Sequence, residues 1–252
     1  MKTNVNHRSP ARQTVKAHTL NVFTLIVVFF TPGILKAQST TVLPVIGTHA
    51  VLGKIDNIDI ETMVQSPSAE KTPLQIACVF EYTENDIYAP PALPLAANGM
   101  AHLDQGLNGI ITTLRKNGAF TGHAFETLLI DVPNGTITPQ RLLLIGLGDR
   151  NKFDPEMMKT VGMIGMREAL RLGVGSYAHA SDLKDGGVDS PTALIAQNVL
   201  IGAISAYRTQ VDLKSKNMAI FKPLKKITFL AGQPFYQITG NGLTTTITGN
   251  GK

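Results

Sequence analysis

Three features of this 252-residue sequence predict an α/β fold. An almost unbroken apolar run of strand length occupies 141–147, a helix with one apolar stripe begins a few residues later, and further strand-like and helix-like segments recur on both sides of that pair. A strand that delivers into a sheet-packed helix is the repeating unit of such folds.

The organising stretch reads QRLLLIGLGDRNKFDPEMMKTVGMIGMREALRLG. Its apolar run suits a strand covered on both faces, and Gly146 and Gly148 punctuate the strand end. Asp154 then supplies a capping side chain, Pro155 a proline at the first helical position, and Glu156 a carboxylate near the positive end of the helix dipole. Met158, Val161, Gly162, Gly165, Met166, Ala169 and Leu170 follow at intervals of three and four, so one stripe of the helix is apolar. Two of those positions lack a side chain, which lets the helix lie close on a sheet. Gly173 fits the left-handed position past the helix end, with Val174 as its hydrophobic partner.

Taken in order, residues 38–62 mix short apolar segments with Gly47, Gly53 and Asn57, as edge strands joined by turns do. Residues 65–73 are a polar loop, and 74–82 form the first interior strand. After a Pro-rich connection at 89–94, the spacing of Leu103, Leu107, Ile110, Ile111 and Leu114 predicts one helix that ends at Lys116, Asn117 and Gly118. Residues 125–132 are a strand stopped by Pro133 and an Asn-Gly turn, expected beside 141–147. Residues 175–181 are a further strand, Ser190 and Pro191 open a last long helix, and 225–231 return as a strand. The tail, 232–252, carries ITGNG twice around a run of threonines and reads as a glycine-turned hairpin or a frayed end.

The first 37 residues have a different character. Lys2, Arg8, Arg12 and Lys16 precede an apolar core at 20–30, and Leu35, Lys36 and Ala37 offer a small residue for cleavage. The pattern is that of a signal peptide, so the chain is expected to be exported, as a periplasmic or secreted protein. A membrane anchor is the competing reading, but about eleven apolar residues fall short of the roughly 20 that span a bilayer, and no membrane span is expected after cleavage. The leader holds five of the 23 Lys and Arg and none of the 18 Asp and Glu, so the overall charge of +5 becomes zero without it. A basic footprint for nucleic acid is therefore not expected. The densest remaining basic group, Lys214, Lys216, Lys222, Lys225 and Lys226, reads as a solvated connection. Cys78, the single cysteine, excludes an intrachain disulfide and reads as a buried thiol in an interior strand.

Catalytic spacing is absent. His49, His102, His123 and His179 include no HExxH pair and no helical i, i+4 pair, and no serine sits in a GxSxG elbow. No catalytic residue, metal ligand or cofactor is expected. Gly146 and Gly148 follow a strand, but the third glycine of GxGxxG would fall at Asn151. These glycines serve either a tight turn with close helix packing, or a pocket at the strand ends in which Gly146, Gly148, Asp149 and Asn151 hold a small polar ligand.

Four phrases, MAHLDQGLNGIITTLRKNGAFTGHAFETLLIDV, RLLLIGLGDRNKFDPEMM, GMREALRLGV and NVLIGAISAYRT, together resemble the N-terminal domain of the leucine aminopeptidase (cytosol aminopeptidase) family. The resemblance covers about 74–216 and implies a three-layer α/β/α unit similar to macro domains, with a mixed, mostly parallel sheet. It places the domain at 38–231, between the leader and the Gly/Thr-rich tail. Peptidase activity in that family belongs to a separate catalytic domain whose GKG-type and NTDAEGR-type segments bind two metal ions, and neither phrase occurs in these 252 residues. The resemblance thus implies a non-catalytic binding or assembly module, with a protein partner or self-association. A macro-like binder of a nucleotide or of ADP-ribose, and an accessory part of a metal-dependent leucyl aminopeptidase, are the alternatives.

Overall fold

A computed structural model describes residues 42–250, so the leader and its cleavage point lie outside the described residues. The middle of the fold is a pair of parallel strands, β3 (Gln75–Val79) and β5 (Arg141–Gly146), whose side chains are buried alternately on the two faces of the sheet. Leu143 and Ile145 enter one core, and Leu142 and Leu144 the other. A near-continuous apolar run is what a strand covered on both sides requires.

Around this pair run β1 (His49–Ile55), β2 (Ile58–Val64), β4 (Thr127–Asp131), β6 (Ser176–Ala180) and β7 (Lys226–Ala231), giving the order β1-β2-β7-β6-β3-β5-β4. The five inner strands are parallel, while β1 and β4 close the two edges antiparallel. The sheet is therefore mixed and mostly parallel, and β4 neighbours β5 as the turn-delimited pattern predicts. Of the two segments expected at the edge, β2 is interior: it pairs with β7 across most of the chain's length, a contact that local pattern does not reveal. Asp56 and Asn57 form the left-handed turn that joins β1 to β2.

Helices α3 (Met157–Arg171), α4 (Thr192–Ser215) and α5 (Tyr236–Asn250) cover one face. The first begins two residues past Pro155, with Asp154 accepting from the Glu156 amide at 2.9 Å. It ends at Gly173 in a left-handed cap, where the Val174 amide donates back to the Ala169 carbonyl at 3.2 Å. Gly165 makes the close approach to the sheet that was expected, since a Cβ there would overlap the Ile76 side chain of β3, whereas Gly162 faces α4: a Cβ on Gly162 would overlap the Val199 carbonyl, and one on Gly202 the Lys159 carbonyl. The two helices thus touch backbone to backbone.

The opposite face carries α1 (Gly99–Gly106) and α2 (Ile110–Lys116), which bury Met100, Leu103, Leu107 and Ile111 on Ala77, Val79, Leu142 and Leu144. One helix was expected here, and two are found. Asp104, almost fully buried, accepts from the Thr112 amide at 3.0 Å, from the Thr112 hydroxyl at 2.6 Å and from Tyr88 at 2.7 Å. Those bonds hold the chain in a left-handed step at Asn108 and Gly109, which interrupts the helical ladder.

The tail also departs from expectation. It forms α5 instead of a hairpin or a frayed end, with Leu243 fully buried in the core of α3 and α4. Thr244, Thr245 and Thr248 return their hydroxyls to carbonyls four residues back, so the polar side chains are satisfied along the helix. Packing against α4, β1 and β2 overrides the poor helix propensity of Gly and Thr.

Candidate functional site

Two adjacent strands send their connections to opposite faces. The chain leaves β3 for α1 and α2, and leaves the neighbouring β6 for α4, so the loops beyond their carboxyl ends diverge. Open α/β sheets place ligands at such switch points. Here a cavity of about 360 Å³ opens beyond β6 and β7. Its apolar floor includes Ala180, Ile195, Phe229 and Leu230, its rim includes Leu93, Ala96 and Ala97 on one connection and Gln233 and Phe235 on another. Ligand cavities typically start near 300 Å³ and combine such an apolar lining with a few polar groups.

The polar groups come mainly from the loop after β6. Asp182 and Asp185 both reach the cavity, and their carboxyls are hydrogen-bonded to each other. Burial pushes Asp182 well above the usual carboxylate range, and the charge of Asp185 pushes it further. Asp185 is raised as well, again chiefly by burial. The pair therefore retains a shared proton, with Asp182 as donor. Asp182 also accepts from the Cys78 amide at 3.4 Å, and Asp185 from the Met100 amide at 3.1 Å in the first turn of α1. Asn98 fixes that helix start: its side-chain oxygen accepts from the Ala101 amide at 2.8 Å, while its amide group donates to the Asp185 carbonyl at 3.1 Å.

Two histidines join them. His102 lies 3.3 Å from the Ser66 hydroxyl, and His179 lies 3.4 Å from the Ser181 hydroxyl. Burial pushes His179 down to about 3, so it is a neutral imidazole at ordinary pH. Their separation in sequence gives no signal that they share a cavity. His123 is elsewhere, raised by its 2.6 Å contact with Glu81, and His49 is exposed on β1. Among the described residues no group of three or more His, Cys, Asp or Glu side chains is placed to hold a metal ion. Cys78 is buried, and that burial raises its thiol well above the ordinary value.

Gly146, Gly148, Asp149 and Asn151 sit together at the end of β5, outside the residues that line the cavity. A Cβ on Gly146 would overlap the His123 carbonyl, and the Gly148 amide donates to Gly122 at 2.9 Å, so both glycines admit the 122–124 loop. Asp149 accepts from the Asn151 amide at 2.9 Å and is lowered chiefly by that bond. Arg150, which the sequence reading did not single out, ties this loop to the one that follows β6. It donates to the Gly186 carbonyl at 2.9 Å and to Asp86 at 2.8 Å. Asp86 is simultaneously held by the fully buried Arg115, whose other bond goes to the Phe80 carbonyl at 2.8 Å. Three loops at the carboxyl edge are locked together by one carboxylate and two guanidinium groups.

Comparison with known proteins agrees with this architecture. The family model for the cytosol aminopeptidase family, N-terminal domain, matches residues 87–217. A probable cytosol aminopeptidase of Roseiflexus castenholzii is 30% identical over 129 residues, which are 51% of this chain and 26% of that protein. Another, from Nitrosococcus oceani, is 24% identical over 168 residues, 67% of this chain and 31% of that protein. The chain thus spans well under half the length of these relatives. Among solved structures, a tomato leucine aminopeptidase mutant superposes with a TM-score of 0.53 at 18% identity, over 76% of this chain and 36% of that one. The macrodomain of Oceanobacillus iheyensis with ADP superposes at 0.52 and 13% identity, over 80% and 98%. At such identities the likeness is one of fold, and it shows the macro-like architecture. With a family model matched across half of its residues, this chain belongs to the cytosol aminopeptidase family, through that family's N-terminal domain.

Proposed function

We propose that this domain is a non-catalytic binding module whose working surface is the cavity beyond β6 and β7. The observation that carries the reading is the convergence of the Asp182–Asp185 pair, His102 and Ser66 on an apolar cavity of about 360 Å³ at the switch point. Its ligand is a small organic molecule that lays a flat, weakly polar part on the apolar floor and hydrogen-bonds to the carboxyl pair, as the base of a nucleotide can. The Oceanobacillus macrodomain, of similar fold, was solved with ADP, which makes ADP and ADP-ribose the first ligands to test. The test is calorimetry with each, on the wild type and on Ala97→Trp, which blocks the exposed rim without entering the core. Millimolar or tighter binding that the variant abolishes supports the reading; equal binding by both proteins, or none, counts against it. The same purified chain is expected not to hydrolyse leucine p-nitroanilide with added manganese or zinc.

A second reading, self-association or docking on a partner peptidase, is favoured by α4. Leu194 and Ile201 stand seven residues apart on one side of that helix, 38% and 41% exposed. Light scattering on the wild type and on Leu194→Glu/Ile201→Glu tests it: a dimer that becomes a monomer supports assembly, and a wild-type monomer at all concentrations removes self-association. Export of the chain, with cleavage after Ala37, belongs to the same proposal and rests on the leader pattern. Intact-mass analysis of the extracytoplasmic fraction tests it.

A further inference from the structure

A surface feature independent of the cavity lies at the other end of β7. The segment that joins α4 to β7 precedes Lys226, the amino end of the strand, whereas the cavity is at its carboxyl end. At the apex of this segment Met218 is 70% exposed and Ile220 is wholly exposed. Lys214, Lys216, Lys222 and Lys225 flank them, all exposed, and the sequence contains no Asp or Glu from residue 213 onward. None of these four lysines is in an ion pair among the described residues; Lys226, by contrast, is spent on Glu61 at 3.1 Å.

The apex is held in shape. Asn217 takes a left-handed conformation after the helix, and the Met218 amide donates to the Leu213 carbonyl at 2.8 Å. The Lys214 ammonium donates to the Phe221 carbonyl at 3.0 Å and lies 4.8 Å from the Phe221 ring centre. That ring packs edge-on against Tyr207 at 6.0 Å, and Leu224 is buried. The inward residues of the segment therefore anchor it, and its two outward aliphatic side chains remain in water, flanked along the chain by lysines that are in no ion pair among the described residues.

We propose that this segment is a membrane-surface contact, which seats on a bilayer rich in anionic phospholipid. Lysine ammonium groups meet the headgroup phosphates while Ile220 and Met218 enter the boundary of the acyl chains. A phosphate backbone of nucleic acid would satisfy the lysines equally well. It would leave Ile220 in water, though, and the only aromatic ring of the segment is already covered, so no base-stacking platform is offered.

The experiment places an environment-sensitive fluorophore on Ile220→Cys in the full chain, with Asp131→Cys on the β4 edge as the control; Cys78 is buried and stays unlabelled. With phosphatidylglycerol-containing vesicles at low salt, the emission of the first label is expected to shift to the blue and that of the control to stay fixed. The shift should be lost in phosphatidylcholine vesicles and at high ionic strength. Lys216→Gln/Lys222→Gln should weaken vesicle affinity by about an order of magnitude or more, at about fivefold per lysine. No shift at position 220, an equal shift at both labels, an affinity indifferent to the lysine substitutions, or complete displacement from vesicles by an equimolar duplex oligonucleotide would each overturn the proposal.

Discussion

The two faces of the sheet are built on different principles. Under α3, α4 and α5 the core is apolar and close-packed, and its tightest contact is the backbone approach of Gly162 and Gly202. Under α1 and α2 the apolar cluster is smaller, and buried polar groups do part of the work: Asp104 shapes the turn between the helices, and Asp86 joins Arg115 to Arg150. Dry packing suits a rigid support, whose cost of change is steric. A buried polar network fixes the relative positions of loops, and its cost of change is an unpaired charge. The cavity lies where the two regimes meet, with a floor from the sheet and polar groups from the loops.

The largest effect is expected on the polar side. Asp86→Ala leaves Arg115 buried without a countercharge and frees Arg150 from one of its two partners, so it should cost about 3–5 kcal/mol in urea-unfolding free energy. A loss below about 1 kcal/mol would mean that water replaces the carboxylate and that the two faces differ less than the contacts suggest. The dry side is probed by Gly202→Ala. Its methyl group meets the Lys159 carbonyl and forces α3 and α4 apart, at about 1–3 kcal/mol of destabilisation.

Smaller effects follow pH, with opposite signs at the cavity. His179 is lowered to about 3, below an unfolded value near 6.5, so its contribution is complete above about pH 6.5 and is lost as pH falls toward 3. Asp182 and Asp185 are raised above an unfolded value near 3.9, so theirs is complete below about pH 4 and is lost as pH rises through the folded-state titration. Each titration changes stability by at most about 1.4 kcal/mol per pH unit for each proton. His179→Leu should flatten the acid limb of a stability–pH curve. Asp182→Asn should flatten the opposite limb, because an amide can still donate to Asp185 and asparagine tolerates the φ of 54° found there. Unchanged limbs in both variants would remove these groups from the pH response.

The smallest expected change is a gain. Gln75 is fully buried, with its amide nitrogen bonded to the Ile76 carbonyl at 2.9 Å and its oxygen without a partner. Gln75→Met removes that orphan acceptor from the α1/α2 face and should stabilise the protein by about 1 kcal/mol in the same unfolding assay. Destabilisation instead would show that the glutamine packs better than it bonds.

Residues whose structural cause is local were determined by the sequence itself. The run 141–147, the apolar stripe of α3 and the cap at Gly173 each depend on neighbours within a few positions, and the alternation or spacing of side chains states them directly. The family resemblance likewise rests on contiguous phrases and led to the observed sheet. Tertiary structure alone decided the rest. The break between α1 and α2 depends on Asp104 meeting Tyr88 and Thr112, the interior place of β2 on its pairing with β7, and the helical tail on Leu243 entering a core made elsewhere. The cavity belongs to the same class. Gly146 to Asn151 could be read as a loop at a strand end, but Asp182, Asp185, His102 and Ser66 become neighbours only when β6 and α1 are brought together across the switch point. Hydrophobic period and turn chemistry act over one element, whereas burial, pairing order and shared protons are properties of groups that the folded chain alone brings into contact.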